Sequence, residues 1–335
     1  MQTIATQRIC ILMFSGGLDS VVAAHLLKGL GLDVQGLHFV LPFEAGLGRT
    51  HAVVRGRAER IGMPLTVIEE REEFLAVLTS PSFGFGKHAN PCVDCRIHRL
   101  QAAKRVMEER GASFVATGEV LGQRPMSQQR NTLRAIEKRC GLDGFLLRPL
   151  SAQLLPETVP EKEGWVERSK LLAIRGRGRK EQLAYAARHG LEYGSPAGGC
   201  ILTNEASARR FEDLVKHSPG YSFDDLRLIA YGRRFRLSSD LVLVVGRNEH
   251  ENGVLERVRL PGDRRLELAD FAGPVALARG PATEEELRRC AAITARYAGQ
   301  AQGSSRVRVT VSEGDGQRVV DVAPATDSEC EAVRV

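Results

Sequence analysis

Residues 8–30 read RICILMFSGGLDSVVAAHLLKGL, and this stretch decides the fold of the N-terminal part of the chain. After Arg8 comes a short, continuous apolar run to Phe14, which is typical of a strand buried on both faces of a parallel sheet. From Ser20 onward the apolar positions follow helical spacing, and no Pro or Gly occurs before Gly29. A buried strand, a Gly-Gly turn and a helix therefore predict the opening βα unit of an α/β domain.

The same alternation of elements continues to about residue 205. Strand-like runs lie at Asp33–Leu41, Pro64–Glu69, Ser113–Thr117 and Phe145–Leu150, and helical patterns lie at Gly48–Ile61, Cys95–Arg110 and Lys180–His189. Strands that alternate with helices favour right-handed βαβ crossovers and a doubly wound parallel sheet. We therefore expect an α/β domain over residues 1–205.

The pattern changes after about Asn204. Residues 206–220 are expected to form one amphipathic helix, Ala206–His217, and a linker. Residues 221–335 then carry five strand-like runs, at Leu241–Gly246, Arg264–Leu268, Val275–Ala278, Arg306–Ser312 and Gln317–Val322. One strong helical pattern lies among them, at Thr283–Ala298. This arrangement predicts a second, smaller α+β domain.

Composition narrows the class of protein. The chain has 335 residues, which exceeds the usual size of a single domain. No segment approaches about 20 uninterrupted apolar residues, and the N-terminus lacks the pattern of a signal peptide, so we expect a cytoplasmic protein without a membrane partner. Seven cysteines in a reducing compartment argue against a disulfide framework, and the formal charge of +6 is mild but favours a polyanionic partner.

The segment Ser15-Gly16-Gly17-Leu18-Asp19-Ser20 has the features of a phosphate-binding loop. A glycine pair between a buried strand and a helix N-terminus turns backbone N–H groups toward an anion, and the helix dipole favours phosphate there. Ser15 and Ser20 add hydroxyl donors, and Asp19 is suited to help hold Mg²⁺. No Gly-Lys-Ser/Thr follows, so this is not a Walker A loop, and a purely structural Gly-Gly turn is the alternative.

The hexapeptide resembles the signature of the ATP-pyrophosphatase (PP-loop) superfamily. The resemblance implies a PP-loop (HUP-like) fold and an enzyme that cleaves ATP between the α and β phosphates to adenylate a substrate oxygen. It implies ATP and Mg²⁺ as cofactors, with Asp19 catalytic and with His38 and Phe39 at the adenine. The loop at the end of the fourth strand, with Gly118 and Gln123, suits contact with the adenylated intermediate.

Three cysteines lie on loops at the carboxyl side of the predicted sheet. Cys92 and Cys95 form a Cys-x-x-Cys pair at the start of a helix, where a thiol pKa is lowered. Cys200 lies in a second glycine-rich turn, and all three can converge over the phosphate loop. Three thiolates leave an open iron position, which suits a reactive cluster, whereas persulfide chemistry without a cluster and no function at all remain alternatives.

Residues 8–205 as a set resemble the PP-loop domain of tRNA 4-thiouridine synthetases and, towards Cys200, tRNA 2-thiouridylases. The resemblance implies an ATP-dependent tRNA sulfurtransferase that forms AMP and pyrophosphate and that makes 4-thiouridine at U8. It implies a [4Fe-4S] cluster on Cys92, Cys95 and Cys200. In cluster-free relatives a persulfide at the position of Cys200 delivers sulfur, and Cys95 is a second catalytic candidate. The sulfur donor would be inorganic sulfide or a persulfide derived from a cysteine desulfurase.

Two basic segments suit an RNA partner, since each Lys or Arg can neutralise about one phosphate. The first carries Arg175, Arg177, Arg179 and Lys180, and the second carries Arg233, Arg234, Arg236 and Arg247. The second resembles the RNA-binding domain of NFACT proteins and would supply the contacts to tRNA. A solvated loop is the alternative for the first segment.

Three rival functions share part of this pattern. A 2-thiouridylase acting on U34 uses the same chemistry, a PP-loop synthetase or amidotransferase acts on a small molecule, and a non-catalytic RNA-binding protein needs no ATP. The oligomeric state stays open, with a homodimer as one option.

Overall fold

The computed structural model describes residues 8–43, 49–70, 72–194, 199–218, 220–301 and 303–335. The chain divides into two compact units. The first comprises Met1–Leu41 and Gly48–Cys200, and the second comprises Pro42–Leu47 and Ile201–Val335. Tyr231 Oη donates a hydrogen bond to the carbonyl of Phe43, which ties this short early segment to the second unit. In the described ranges no helix is both long enough and apolar enough to cross a membrane.

The first unit alternates strands and helices. In chain order its elements are β1 Ile9–Met13, α1 Leu18–Gly29, β2 Asp33–Val40, α2 Arg49–Arg60, β3 Leu65–Glu69, α3 Glu73–Thr79, α4 Cys92–Glu109, β4 Phe114–Thr117, α5 Arg130–Arg139, β5 Leu146–Leu147, α6 Val159–Lys162 and α7 Lys180–Arg188. Within the described residues the strands form a parallel sheet in the order β3-β2-β1-β4-β5. The doubly wound α/β prediction is confirmed.

The sheet places its functional loops at one edge. β1 is central and buried, with Cys10, Leu12 and Phe14 at no more than 1% exposure, and α1 packs against the same core. Because all strands are parallel, the loops after β1, β2, β3 and β4 leave from the carboxyl edge of the sheet. This edge carries the phosphate loop and the Cys92 turn.

The second unit is built on an antiparallel sheet. Its elements are α8 Glu205–His217, α9 Phe223–Arg227, β6 Arg233–Arg236, β7 Val242–Val245, α10 Glu249–Arg257, β8 Arg264–Leu268, β9 Ala276–Arg279, α11 Glu284–Arg296, β10 Val307–Glu313, β11 Gly316–Val322 and α12 Asp327–Ala332. The strand order is β11-β10-β8-β9-β7-β6 in the described residues. The second α+β domain is confirmed, and Thr283 with Glu286 forms a capping box that starts α11.

Several element predictions are corrected. The run Phe145–Leu150 forms only the two-residue strand β5, since Pro149 has no N–H to continue a ladder. The helix predicted from Cys95 begins earlier, at Cys92. α5 and α10 escaped notice because charged residues interrupt their apolar spacing. Gly48 and the turn residues Ser195–Gly198 lie outside the described residues.

Candidate active site

The phosphate loop leaves the first turn of α1 without a side-chain cap. Gly17 is the N-cap residue, and Val21 N donates the first helical hydrogen bond, to the Gly17 carbonyl at 3.0 Å. The preceding amides of the first turn therefore have no partner within the helix. Ser20 Oγ donates to the same carbonyl at 2.9 Å and lies 3.2 Å from Ser15 Oγ. Such a turn presents N–H and O–H donors to an anion.

Two glycines permit the backbone path of this loop. Gly16 has a φ of +70°, a conformation that L side chains rarely adopt. A Cβ on Gly118, at the end of β4, would lie 2.7 Å from both the carbonyl carbon of Asp19 and the amide of Ser20. Only glycine lets the β4 loop lie directly on the start of α1. The predicted pairing of Gly118 with the nucleotide loop thus has a steric basis.

Two glutamine amides hold the Asp19 carboxylate. Gln123 Nε2 donates to Asp19 Oδ2 at 2.6 Å, and Gln182 Nε2 donates to Asp19 Oδ1 at 3.3 Å. Gln182 also lies 3.1 Å from Gln123 Oε1 and is completely buried. The two amides fix the carboxylate and leave lone pairs for a cation. Gln182 was missed from the sequence, because nothing in the pattern of α7 separates it from a surface helix residue.

A cavity of about 230 Å³ opens over the loop. Its lining includes Ser15, Asp19, Ser20, His38, Phe39, Gly118 and Gln123, which were all predicted for the nucleotide. His38 Nδ1 lies 3.0 Å from the carbonyl of Phe14, and its buried Nε2 has no partner among the described residues. Burial lowers the pKa of His38 and so favours the neutral ring, in which Nε2 is an acceptor when Nδ1 donates to Phe14.

Arg99 joins the nucleotide cavity to the cysteines. Its guanidinium carbon lies 5.7 Å over the ring of Phe39, and its Nε donates to Glu70 Oε1 at 3.2 Å. His98 Nε2 lies 2.9 Å from the other Glu70 oxygen. Arg99 Nη2 is buried and has no hydrogen-bond partner in the described part of the chain. A buried, unpaired guanidinium N–H is costly, so this atom is suited to an anionic ligand.

Charge coupling places the distant Cys200 in this neighbourhood. Burial would lower the pKa of the Arg99 guanidinium, but nearby acidic side chains outweigh this effect and raise the pKa. These groups are Cys95, Glu70 and Cys200. The backbone of Gly194, six residues before Cys200, lies against the phosphate loop, since Gly194 N donates to the Gly16 carbonyl at 2.9 Å.

Cys92, Cys95 and Cys200 are all partly buried and not disulfide-linked. Asn90 Nδ2 donates to Cys92 Sγ at 3.2 Å. Partial burial raises the pKa of Cys95, and the charges of Arg99 and Arg96 lower it without cancelling that effect. The expected lowering of the thiol pKa is therefore wrong for Cys95, because desolvation outweighs the helix N-terminus. Among the described residues no three His, Cys, Asp or Glu side chains are placed to hold a single metal ion.

A buried ion network lies beneath the cavity. Glu119 is 2% exposed and forms ion pairs with Arg148 at 3.1 Å and with Arg96 at 3.2 Å. Arg148 is also buried and continues to Glu137 at 3.0 Å. Burial would raise the pKa of Glu119, but the Arg96 and Arg148 charges hold it below its ordinary value. Arg96 and Arg99 also line the cavity and were missed. The sequence signal was that Arg96 and Arg99 follow Cys95 three residues apart and so lie on the same side of α4.

The first basic segment lies beside the cavity. Gly176 N donates to the Leu121 carbonyl at 2.7 Å, so the segment is anchored to the loop that carries Gln123. Arg175, Arg177 and Lys180 are exposed, and in the ranges that the structure covers they form no ion pair. The segment runs directly into α7, whose Gln182 contacts Asp19. A polyanion bound to these cations would therefore reach the rim of the nucleotide cavity.

The second basic segment requires a correction. Arg233–Arg236 is the strand β6, and Arg234 is 2% exposed and paired with Asp213 at 3.2 Å. Arg236 pairs with the same carboxylate at 2.7 Å. Because Arg234 is buried and its charge is satisfied inside the unit, its role as a phosphate contact is wrong, whereas the same role of Arg236, which is paired but only partly buried, stays a prediction.

Arg247 is exposed and Arg233 is partly buried. The guanidinium of Arg233 lies 4.4 Å over the ring of Tyr297. Arg247 is paired with Glu251. These two residues lie next to each other, since Gly232 N and Arg247 N both donate to Glu251 Oε2. They stay candidates for RNA contact.

The parallel sheet and the uncapped glycine loop give the first unit the architecture that the predicted resemblance to PP-loop domains implies. Residues 5–153 match the family model described as Thiamine biosynthesis protein (ThiI). Residues 232–334 match the model described as NFACT protein RNA binding domain. The chain is thus similar to the first model over its N-terminal part and to the second over its C-terminal part.

Curated relatives cover the first unit only in part. The tRNA-specific 2-thiouridylase MnmA of Sulfurimonas denitrificans is 35% identical over 116 residues, 33% of this chain and 34% of that protein. The Probable tRNA sulfurtransferase of Streptococcus suis is 32% identical over 140 residues, 37% of this chain and 30% of that protein. The chain therefore spans about a third of the length of these relatives.

One solved structure is similar at low identity. It is the U34-tRNA thiolase NcsA from Methanococcus maripaludis with its [4Fe-4S] cluster, at a TM-score of 0.36 and 16% identity. The match covers 67% of this chain and 71% of that one.

Proposed function

We propose that the chain is an ATP-dependent tRNA thiouridine synthetase that adenylates a uracil carbonyl oxygen and replaces that oxygen with sulfur. The observation that carries this proposal is the position of Arg99. This residue contacts Phe39 in the nucleotide cavity and couples electrostatically to Cys95 and Cys200. An ATP site and a thiol site that share one partly buried guanidinium are suited to one reaction in two steps.

The first step uses the phosphate loop. The free amides of the first turn of α1 and the hydroxyls of Ser15 and Ser20 bind the phosphates, and Asp19 helps hold Mg²⁺. His38 presents a neutral acceptor to the base or ribose. Attack of the uracil oxygen on the α phosphorus then releases pyrophosphate and leaves an adenylated base, with AMP as a good leaving group.

The second step needs a sulfur nucleophile near the adenylated carbon. Cys92, Cys95 and Cys200 are thiols and fit iron–sulfur ligation by their chemistry, and the unpaired Arg99 Nη2 fits an anionic group beside them. Cys92, Cys95 and Cys200 would be the ligands of a [4Fe-4S] cluster, and such a cluster, when bound, would supply a site for the sulfur nucleophile. This chain's own contribution is to orient Cys92 through Asn90 and to offer positive charge at Arg99.

The substrate is assigned to tRNA by charge and by family. The exposed cations of the first basic segment lie at the cavity rim, and a small-molecule synthetase would have no use for them. The resemblance of residues 8–205 to tRNA 4-thiouridine synthetases favours 4-thiouridine at U8, with inorganic sulfide or a desulfurase-derived persulfide as the donor. The 2-thiouridylase relatives support U34 as the second candidate.

Nucleoside mass spectrometry of tRNA from a deletion strain tests this proposal. Loss of 4-thiouridine supports the U8 assignment, and loss of 2-thiouridine moves the assignment to U34. If both nucleosides persist, the thiolation proposal fails. Purified protein should also convert ATP to AMP and pyrophosphate in the presence of tRNA.

Cysteine variants separate the two sulfur mechanisms. With a cluster, anaerobically purified protein contains about four irons per chain from the cluster stoichiometry. C92A, C95A and C200A then each lose both iron and thiolation, while AMP formation persists. Persulfide chemistry instead predicts active, iron-free protein in which C200A is inactive and C92A retains activity. C330A is the matched control, because Cys330 is a buried thiol of the second unit.

A further inference from the structure

The segment just before Cys92 exposes two aromatic rings. Phe83 is 38% exposed and Phe85 is 45% exposed, which is unusual for phenylalanine in a folded domain. Gly84, with a φ of +69°, separates them. Glycine in this conformation turns the chain between the rings, so the rings do not merge into the apolar core.

Both rings are anchored to the Cys-x-x-Cys turn. The Asp94 carboxylate accepts hydrogen bonds from Ser82 N at 2.8 Å and from Phe83 N at 3.0 Å. Gly86 N donates to the Asn90 carbonyl at 2.9 Å, and a Cβ on Gly86 would lie 2.2 Å from Asn90 Nδ2.

Asn90 in turn donates to Cys92 Sγ. Phe83 is thus linked to the Cys-x-x-Cys turn through Asp94, and the residue after Phe85 is linked to Cys92 through Asn90. Asp94, which lies between Cys92 and Cys95, accepts the hydrogen bonds that hold the Phe83 segment in place.

Cations accompany the rings. The guanidinium carbon of Arg139 lies 5.8 Å from the centre of the Phe83 ring, and Arg139 is itself exposed. Lys87 is exposed and has no ion pair with any residue that the structure describes. Aromatic rings and guanidinium planes both stack on nucleobases, and the neighbouring charges neutralise phosphates.

We propose that Phe83 and Phe85 form a stacking platform for unpaired bases of the RNA substrate, next to the cysteines. This inference rests on the proposed tRNA thiolation. A uracil carbonyl inside a base-paired stack is out of reach of an enzyme, so the target nucleotide and its neighbours must be unstacked. Rings fixed to the Cys92 turn would replace the lost stacking and hold the base at the sulfur site.

A sulfur-donating protein is the other occupant that exposed rings could serve. The observations favour RNA, because isolated rings flanked by Arg139 and Lys87 match a single-stranded polyanion. A protein interface core would be a contiguous apolar patch with few charges.

The test compares F83A and F85A with F145A. Phe145 is 37% exposed, nearly the same as Phe83, but it precedes β5 and so lies at the amino edge of the sheet, away from the cysteines. Each protein is titrated with a tRNA transcript and with an oligouridylate, and thiolation is measured with sulfide as the donor. AMP formation and the melting temperature are measured in parallel.

F83A and F85A should each bind both RNAs about five-fold or more weakly, from the usual strength of base–aromatic stacking, and should thiolate more slowly. F145A should match the wild type, and the conservative F83Y should restore binding. Unchanged RNA affinity in F83A and F85A would overturn the platform. A defect confined to reactions with a desulfurase, and absent with sulfide, would assign the rings to a protein donor instead. If wild-type protein thiolates no RNA, the proposed function fails, and this outcome is distinct from failure of the platform.

Discussion

The contact between Gly118 and the phosphate loop permits a sharp test of the nucleotide site. In G118A the new Cβ would lie 2.7 Å from two backbone atoms, the carbonyl carbon of Asp19 and the amide of Ser20. Ordinary contact begins at 3.4 Å, so the β4 loop and the start of α1 must separate by about 0.7 Å. Backbone cannot rotate away as a flexible side chain can.

This displacement falls on the start of α1, whose amides we propose to bind the phosphates. Misplacement of about 1 Å at a reacting centre can cost roughly a hundred-fold in rate, so we expect kcat/KM for AMP formation to fall about 30- to 100-fold. Overpacking should also lower the free energy of unfolding by about 1–3 kcal/mol. The first unit should still be folded at the assay temperature.

The assay is release of AMP and pyrophosphate, with thermal unfolding as the check on folding. The matched control is G29A, since Gly29 is the last residue of the same helix and an added Cβ there meets nothing within 4 Å. G29A should keep full activity and gain a few tenths of a kcal/mol in stability. Wild-type turnover by folded G118A would refute the proposed geometry of the loop.

Three further predictions use the charges of the site. Replacement E119Q removes the carboxylate that Arg96 and the buried Arg148 share and should cost about 3 kcal/mol of unfolding free energy in urea. The pKa of Glu119 is held below 4.5 in the folded protein, so the stabilisation that its charge provides is present above pH 4.5 and is lost as pH falls through the lower, folded-state pKa. A difference in unfolding free energy between the wild type and E119Q that stays constant down to pH 3 would contradict this. Replacement R177A should reduce the slope of log affinity for tRNA against log salt concentration by about 1. Replacement R105A should leave this slope unchanged, because Arg105 is an exposed residue in the half of α4 away from the cysteines. Replacement H38A should weaken ATP binding. Because burial lowers the pKa of His38, the ATP affinity of the wild type should not change with pH above 6.5. A loss of ATP affinity between pH 7 and 8 would argue against a neutral acceptor at His38.

The arginines of the second unit show why sequence reading alone misassigned part of the RNA surface. A run of arginines around Phe235 is typical of a nucleic-acid contact, but alternation along β6 turns Arg234 into the unit, where Asp213 neutralises it. Whether a charged side chain faces solvent depends on its register in a sheet and on partners far away in the sequence. Neither is visible in a local pattern.

The sequence by itself determined the elements whose cause is local. The buried strand β1, the glycine loop and α1 follow from short-range periodicity and turn chemistry, and with the later alternation they determine a doubly wound sheet. Only the tertiary structure decided which distant residues meet at its carboxyl edge. Gln182 reaches Asp19 from α7, Gly118 fits against the start of α1, and Arg99 lies between the nucleotide cavity and the cysteines. These contacts join residues far apart along the chain, and the path of the backbone between them is determined by packing of the whole unit.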